Sequence, residues 1–533
     1  MLLLKHSAHV PSLKKERGKM NLKVKLIGLE VGGKSIVILN KDDADDLGVH
    51  SSGRVTLHYG KKTLTAIINS TEKMIPKGCM GVCEEVRLAL GLKDNVEVQV
   101  DAAKFPNSLQ FIKSKLEGRK LNYDEIFTIV NDVVQGNLDE SEIASFVAAL
   151  NSKGMNLDEA ASLSVAMYKT GKQLDLGKKI IVDKHSIGGC AGDKTSLLLV
   201  PIIAAVGLTI PKSSSRAITS AAGTADRAEV LMPVELNIDE MRAVVEKTNG
   251  CIVWGGSLDL APADDIFIKV EYPLSIDPLL LPSIMSKKKA VGATHLVIDI
   301  PTGRGTKIKT IGDADLLAKD FIELGKVLDI QTQCAVTYGE QPIGHCIGPA
   351  LEAREALEII MRKNNVLDVT DKVTNIAAIL MRMAGKDVKQ NFAMNVIKTG
   401  KAEEKLREII GAQGGNPQVQ PEDIKIGDYG LDFCSSDKGV VMWINNTSVI
   451  EIARAAGAPK DKGAGIVMYK KIGHTVTKGE KLFTVYAEKV GKLERVKQLM
   501  DENNVFGVGE HRDMLIHEVK EMKMPSKMFM LDR

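Results

Sequence analysis

The alternation of apolar and polar positions changes its period several times along the chain. Between residues 20 and 103, short β-branched runs are separated by Gly, Asn and Asp, and they read LKVKLIGL, KSIVILN, GRVTLHY, KTLTAIIN and NVEVQVD. Runs of this length and composition are typical of strands. We therefore predict a small β-rich N-terminal domain over residues 20–103, with one helix around Glu84–Leu92.

The period becomes helical after Pro106. Four segments, SLQFIKSKLEG, YDEIFTIVNDVVQG, ESEIASFVAALNSKG and LDEAASLSVAMYKTG, repeat apolar residues at helical spacing, and each ends at glycine. These segments predict a helical lobe over residues 104–176. The later segment DPLLLPSIMSKKKAVG is also helical in pattern, and we expect it to return residues 262–292 to that lobe.

Strand and helix patterns alternate in the middle of the chain. KIIVDK, LTIPK, CIVWGG and HLVIDIP predict strands, whereas TSLLLVPIIAAVG and ITSAAGTADRAEVL predict helices. Helical patterns dominate again from Leu351 to about Gly411. Such alternation is typical of parallel βαβ units, so residues 177–428 are predicted to form an α/β lobe with a mixed parallel sheet.

The two ends of the chain carry weaker signals. Residues 429–533 contain GAGIVMYKKIGHTVTKGEKLFTVYAEK, which predicts a C-terminal α+β domain resembling half of a lipoyl-type hammerhead. A carrier domain needs a modifiable lysine in the turn, but the EMKM sequence lies in the tail at Glu521–Met524, which favours a structural or dimer-supporting role. Residues 1–19 predict a disordered extension, or a start upstream of Met20. The pattern as a whole predicts a multidomain protein of the α/β and α+β classes.

Composition narrows the possible functions. A net charge of +3 and an aromatic content of 4% disfavour a nucleic-acid partner. The seven cysteines form no CxxC pair, which disfavours disulfides and zinc and favours a reducing cytoplasm. Because no apolar run reaches the ~18 residues of a membrane helix, no membrane association is expected. No metal ligands are grouped in the sequence, and no cofactor is predicted.

Three loops rich in glycine and hydroxyl groups follow predicted strands. The first loop, Val182–Ser196, combines glycines with Lys184 and precedes a helix, an arrangement that favours anions. It lacks the GxxxxGK[ST] spacing of a P-loop, and a tight strand-to-helix turn explains its glycines equally well. The third loop, Ile298–Lys309, reads IDIPTGRGTKIK and fits either an anion site or a solvated hairpin.

The second loop, Pro211–Leu231, carries the stronger signal. It holds six Ser and Thr residues and Arg216 around a predicted helix start. A single N-cap explains one hydroxyl, whereas several donors converging on one point suit a phosphate group. Since one phosphate needs one such loop, three loops indicate two anionic groups, as a phosphorylated substrate and inorganic phosphate would supply.

The segment Val182–Leu231 resembles the thymidine phosphorylase family, the class II nucleoside phosphorylases. Its motifs VDKHS, GDKTS and SSRAITSAAGTADRAE are long and specific, and the resemblance runs from about Pro106 to the tail. The N-terminal domain and the GRGTK sequence are similar to archaeal members of that family that act on AMP. The resemblance implies a cytoplasmic homodimer or higher homo-oligomer, with a cleft between a helical lobe and an α/β lobe.

The resemblance also implies an activity. AMP, and also CMP or UMP, would react with inorganic phosphate to give the free base and ribose 1,5-bisphosphate. A pyrimidine-nucleoside phosphorylase and a non-catalytic AMP-binding sensor are the alternatives. The absence of arginine from IFIKVEY, where pyrimidine enzymes carry a base-binding arginine, argues against thymidine as the substrate.

The same resemblance implies roles for individual residues. Inorganic phosphate would be held by Lys184, Ser186, Ser196, Ser214 and Thr224. The nucleotide would be held by Gly189, Ser215, Arg216, Ala217, Ile218, Thr219, Ser220, Thr224, Ser283 and Lys307. Asp277 corresponds to the proton donor, and Lys287 corresponds to a base-side lysine of the pyrimidine enzymes.

Asp277 needs a particular environment to serve as an acid. An unperturbed Asp, with a pKa of about 3.9, is ionised near neutrality, so burial beside anions would have to raise that pKa. Its distance along the chain to Ser283 is about two residues shorter than the family pattern, and Asp277 could instead cap the following helix. His185 is expected to pack against the first loop and orient it.

Overall fold

The structure, a computed structural model, describes residues 19–217, 220–388, 391–502 and 504–509. The chain forms two compact units, one from the residues up to 173 with 259–290, the other from 174–258 with the residues after 290. No helix within the described ranges is long and apolar enough to cross a membrane. Residues 1–18, which include nearly all of the expected extension, and the EMKM sequence lie outside the described residues.

The first unit begins with a closed barrel. Its elements are β1 (Lys19–Leu26), β2 (Ile36–Asn40), α1 (Lys41–Leu47), β3 (Arg54–Tyr59), β4 (Lys62–Thr71), β5 (Cys79–Val82), α2 (Glu84–Leu90) and β6 (Glu97–Ala102). The strands close in the order β1-β5-β2-β4-β3-β6. Alternate apolar residues such as Leu22 and Val24 point inward and fill the barrel, as the two-residue period of a strand requires.

Four helices follow the barrel: α3 (Ser108–Leu116), α4 (Tyr123–Val134), α5 (Glu140–Lys153) and α6 (Leu157–Lys169). Three of them begin with a capping box, in which an Asn or Asp and a Glu three residues later satisfy each other's backbone N–H groups. Arg54 of β3 forms a buried ion pair with Glu142 of α5, which joins the barrel to these helices.

The second unit opens with β7 (Val182–Ser186), α7 (Thr195–Ala205), β8 (Ile210–Ser214), α8 (Thr224–Ala228), α9 (Ile238–Thr248) and β9 (Gly250–Trp254). The long helix predicted over ITSAAGTADRAEVL is wrong, because α8 is the only α-helix among the described residues of this segment. The Asp226 carboxylate accepts hydrogen bonds from the backbone N–H groups of Ala217 and Gly223 at 2.7 and 2.8 Å. These two bonds hold the backbone of Ala217 and Gly223 against α8.

The chain then returns to the first unit through α10 (Pro262–Leu274) and α11 (Leu280–Ala290). Helix α10 packs against α4 and α5, and α11 packs against α6. Phe267 of α10 lies against Phe146 of α5, with their ring centroids 6.0 Å apart. A single apolar core therefore contains residues from both passages of the chain.

The parallel sheet of the second unit is completed by β10 (His295–Thr302) and β11 (Gln331–Tyr338), with α12 (Ile311–Val327) between them. Strands pair in the order β11-β10-β7, β8 pairs with β9, and a bridge between Ile181 and Thr209 connects the two groups. Every pairing described among these five strands is parallel, whereas the sequence predicted a mixed sheet. The loops after β7, β8 and β10 consequently emerge at one edge.

Helices and a second set of strands complete the unit: β12 (Cys346–Ile347), α13 (Pro349–Ile360), α14 (Leu367–Met383), α15 (Phe392–Lys398), α16 (Lys401–Ala412), β13 (Tyr429–Cys434), β14 (Gly439–Ile444), α17 (Asn446–Ala455), β15 (Gly465–Met468), β16 (Thr475–Val476), β17 (Lys481–Ala487), α18 (Val490–Glu502) and β18 (Phe506–Gly509). Strands β12, β15, β17 and β13 form one antiparallel sheet, and β16, β14 and β18 form another. Helices α13 to α16 contribute to the core around α7.

Candidate active site

The first and third loops touch at the carboxyl edge of the sheet. Gly189 has a φ of +91°, and a Cβ atom there would lie 2.7 Å from the backbone nitrogen of Lys307. Thr306 also lies close, since its Cα atom would be 3.2 Å from that Cβ. Glycine is therefore required at position 189 by both the backbone conformation and the neighbouring loop.

Arg227 of α8 joins the first loop to the second. Its guanidinium donates hydrogen bonds to the backbone carbonyls of Asp193 in the first loop and Ala222 in the second. It also lies 3.0 Å from the buried carboxylate of Glu352. The three loops that the sequence singled out are thus one connected cluster.

We expect Gly189→Ala to destabilise the protein more than Gly188→Ala. Both glycines have left-handed φ values, +91° and +83°, where a Cβ atom costs roughly 1–2 kcal/mol. A Cβ atom at Gly189 would also collide with the third loop, whereas nothing lies within 4 Å of one at Gly188. Thermal unfolding of the two variants compares them, and equal losses would contradict the close contact between the loops.

Lys184 lies in a buried group of four charges. Its ammonium is 3.0 Å from the Asp299 carboxylate and 3.7 Å from Asp193. Lys372 of α14 contacts the same two carboxylates at 2.9 and 3.6 Å. Two lysines therefore contact the same two aspartates. We call Lys184, Lys372, Asp193 and Asp299 the four-charge cluster.

The side chains of Lys184 and Asp299 are almost completely buried, whereas those of Lys372 and Asp193 are 7% and 14% exposed. Burial alone would raise the pKa of Asp193, but Lys184 and Lys372 outweigh it and hold that pKa well below its ordinary value. The pKa of Asp299 is lowered against burial by the same two lysines. Burial opposes the charge of Lys372, yet the two aspartates raise its pKa. The cluster therefore holds paired charges, as buried ionic groups require.

The expected phosphate-binding hydroxyls lie on the first and second loops. Ser186 accepts a hydrogen bond from the N–H of Gly188 at 3.4 Å, and Ser196 is buried in the first turn of α7. Ser214 donates to the carbonyl of Val253 at 3.1 Å. Thr224 begins α8 and accepts from Arg227 at 3.4 Å. The structure thus places Lys184 and all four expected phosphate-binding hydroxyls on the loops at one edge of the sheet.

Arg216 differs from the other expected nucleotide-binding residues. Its guanidinium makes two hydrogen bonds to Glu229, at 2.6 and 2.9 Å, and one to Glu235 at 2.8 Å. It also stacks over the Trp254 ring at 4.9 Å. The hydrogen bond from Arg216 lowers the pKa of Glu229 to about 2. Arg216 therefore fixes the conformation of the second loop through carboxylates of the protein.

The rest of the second loop is only partly described, because Ile218 and Thr219 lie outside the described residues. Ser215 is exposed, and the N–H of Ala217 is bonded to Asp226. The Ser220 hydroxyl donates to the carbonyl of Ala222 at 3.2 Å. Among the described positions from 215 to 220, Ser215 carries the exposed hydroxyl, whereas Ala217 and Ser220 are bonded within the loop.

The third loop is packed against a second neighbour besides Gly189. Its Thr306 is buried and donates to the carbonyl of Gly303 at 2.7 Å. A Cβ atom at Gly305 would be 3.3 Å from Asn446 of α17. Lys307 is exposed between these anchored neighbours. The third loop therefore carries the exposed cation of Lys307 on a backbone that is fixed by its neighbours.

The remaining expected residues belong to the first unit. Ser283 and Lys287 are one turn apart on α11, and Lys287 forms an ion pair with the buried carboxylate of Asp264 on α10. Burial opposes the charge of Lys287, but Asp264 outweighs it and raises the pKa of that lysine. Asp277 lies between α10 and α11, and its side chain is exposed, so this segment alone does not supply the expected burial.

The sequence analysis did not identify the charged partners of Lys184. Asp299 is a carboxylate inside the otherwise apolar strand HLVIDIP, and Lys372 lies on the buried face of α14 between Val369 and Ile376. An isolated charge on an apolar face was the available signal. Their pairing with Lys184 depends on contacts between distant parts of the chain, which residue spacing does not reveal.

Comparison with known protein families agrees with this architecture. The α/β domain of the glycosyl transferase family matches residues 178–403, and the helical bundle domain of that family matches residues 109–171. The C-terminal domain of pyrimidine nucleoside phosphorylases matches residues 440–507. The multidomain α/β architecture predicted from the sequence is confirmed at this level.

Curated relatives extend the match over most of the chain. The AMP phosphorylase of Thermofilum pendens is 48% identical over 516 residues, which cover 96% of this chain and 100% of the relative. The AMP phosphorylase of Thermococcus kodakarensis is 47% identical, with coverages of 89% and 95%. AMP phosphorylase 1 of Archaeoglobus fulgidus is 46% identical, with coverages of 87% and 92%. The chain therefore belongs to the AMP phosphorylase family.

Proposed function

We propose that the chain catalyses the phosphorolysis of AMP. An oxygen of inorganic phosphate bonds to C1′ of the ribose, and the bond between C1′ and adenine N9 breaks. Its electron pair leaves with the base, which takes up a proton, and the products are adenine and ribose 1,5-bisphosphate. The observation that carries the proposal is the gathering of three anion-type loops at one sheet edge, in a chain with AMP phosphorylases as relatives.

The attacking phosphate is assigned to the first loop and the adjoining hydroxyls. Lys184 would supply positive charge, and Ser186, Ser196, Ser214 and Thr224 would supply hydrogen bonds. The sugar acquires positive charge as the glycosidic bond breaks, and a phosphate dianion held close to C1′ stabilises it. Catalysis would then come mainly from orientation and electrostatics.

The nucleotide is assigned to the second and third loops together with Gly189 of the first loop. The backbone at Gly189 and residues 215–220 would surround its polar groups, together with Thr224, Ser283 and the exposed Lys307. Arg216 would act indirectly, because its guanidinium is held by Glu229 and Glu235. Lys287 would face the base.

Asp277 is assigned the role of general acid. Protonation of adenine at N7 makes the base a better leaving group, and Asp277 would transfer that proton and become a carboxylate. Its exposed position between two helices leaves the side chain accessible to a substrate.

Several finer features accompany this function as proposals. CMP and UMP would be further substrates, and the enzyme would act in the cytoplasm as a homodimer or larger homo-oligomer. The C-terminal strands would form a hammerhead-like support for assembly, and the N-terminal barrel would contribute to assembly as well. The substrates and the oligomeric state follow from the resemblance of the sequence to the family, whereas the hammerhead follows from the strand-turn-strand pattern of the C-terminal segment.

The decisive assay incubates the protein with AMP in the presence and absence of inorganic phosphate. We expect adenine and ribose 1,5-bisphosphate only when phosphate is present. Thymidine and uridine in place of AMP test the pyrimidine-nucleoside alternative. Binding of AMP without release of adenine under all conditions would support a sensor and contradict the proposed reaction.

A further inference from the structure

The charges around Lys184 raise an electrostatic problem for phosphate binding. Its ammonium contacts two aspartates, at 3.0 and 3.7 Å, in a region removed from solvent. One lysine with two ionised aspartates carries a net charge of −1. A phosphate dianion would be repelled by such a group, because the Coulomb interaction is strong where water is excluded.

Lys372 changes this balance. It reaches the cluster from α14, and its ammonium is 2.9 Å from the carboxylate oxygen of Asp299 that also contacts Lys184. It is 3.6 Å from the corresponding oxygen of Asp193. The fourth charge makes the cluster neutral, so that an added anion no longer meets a net negative charge.

The aspartates are themselves held in place. Asp299 belongs to β10 and accepts a hydrogen bond from the Thr337 hydroxyl of β11 at 2.7 Å. Asp193 precedes α7 at the end of the first loop. Lys372 thus connects α14 with β10 and with the first loop, and it lies on the buried side of its helix.

We propose that Lys372 is a positioning residue for inorganic phosphate, which neutralises Asp193 and Asp299 so that Lys184 can attract the phosphate. The inference rests on the proposed function, in which Lys184 lies at the phosphate site. Lys372 itself touches neither substrate. Its absence should weaken phosphate binding selectively and leave AMP binding largely unaffected.

The test compares Lys372→Met with the wild-type enzyme. We expect the KM for phosphate to rise roughly 10-fold to 100-fold, because a unit negative charge is uncovered beside an anion site. The KM for AMP should change less than about threefold. Arg382→Met is the matched control, since Arg382 is exposed on the same helix and outside the cluster.

Two further variants separate electrostatics from packing. Lys372→Arg keeps the positive charge and should recover much of the phosphate affinity. Combining Lys372→Met with Asp299→Asn removes one charge of each sign and should also bring the KM for phosphate back toward the wild-type value. A merely structural role would make the double variant, which has lost two buried groups, as poor as the single variant or poorer.

Direct binding of inorganic phosphate, measured by calorimetry without AMP, makes the outcome independent of turnover. If the wild-type protein binds phosphate but releases no adenine, the proposed function fails while the proposal for Lys372 is still tested. Weaker phosphate binding by folded Lys372→Met would support the proposal. Phosphate binding within twofold of wild type, or equal losses for phosphate and AMP, would overturn it.

Discussion

Asp277→Asn is expected to lower the turnover of AMP by roughly 10²–10⁴-fold, the usual contribution of a positioned general acid. An asparagine amide cannot deliver a proton to N7 at neutral pH, whereas its size and polarity match the carboxylic acid. Affinity for AMP should therefore change little. Steady-state release of adenine measures the first quantity, and calorimetric titration with AMP in the absence of phosphate measures the second.

A substrate that needs no proton sharpens this test. Methylation of AMP at N7 places a positive charge on the base, which then leaves as a neutral molecule. If Asp277 protonates N7, Asp277→Asn should retain most of the wild-type turnover with N7-methyl-AMP. Equal slowing with both substrates would assign Asp277 a different role.

The matched control is Asp158→Asn. Asp158 is an exposed carboxylate in the first turn of α6, in the same unit of the chain as Asp277. Its replacement changes the net charge by the same amount and should leave turnover at the wild-type level. Wild-type turnover in Asp277→Asn as well would remove this residue from the mechanism.

The periodic parts of the fold could be predicted because each helix carries its own signals. Helices α4, α5 and α6 have apolar residues at helical spacing and begin with capping boxes that are local in sequence. Strands β5 and β11 were not predicted, for two different reasons. The first is only four residues long, and the second is an edge strand with a polar, half-exposed sequence, so neither shows the pattern of a buried strand.

The site was predictable only in part. Glycines and hydroxyls after strands located the three loops, because the chemistry of anion binding is concentrated in short segments. Arg216 shows the limit of this reasoning, since a sequence reveals a donor but not that Glu229 and Glu235 already accept from it. The four-charge cluster shows the same limit, because Lys184 and Lys372 meet only after the sheet and α14 have packed.

Arg227→Met is expected to cause the largest loss of stability, about 3–5 kcal/mol, the usual cost of breaking a buried ion pair. Arg227 and Glu352 are almost fully buried and lie 3.0 Å apart. Removing the guanidinium leaves the Glu352 carboxylate without its cation and the carbonyls of Asp193 and Ala222 without a donor. Denaturant unfolding of the second unit measures the loss.

Arg354→Met provides the comparison, because Arg354 is on the same helix as Glu352 but forms a partly exposed ion pair with Glu358. Such pairs contribute about 0–1 kcal/mol, so this control should remain close to wild type. Similar losses of stability in the two arginine variants would show that the buried contacts of Arg227 contribute no more than an exposed ion pair. Activity should fall with stability only in Arg227→Met, since that side chain joins the first and second loops.

The pH dependence of the stability lost in Arg227→Met identifies the cause of that loss. Burial already raises the pKa of Glu352, and Arg227 opposes that rise. Without Arg227 the pKa should rise further, so the folded variant takes up a proton that the unfolded chain does not hold. The contribution of Glu352 to the stability of the variant is therefore most favourable at low pH and is lost as pH rises through the raised pKa. The deficit relative to wild type should be larger at high pH than at low pH, and adding Glu352→Gln should abolish this dependence, because no buried carboxylate then remains to be charged.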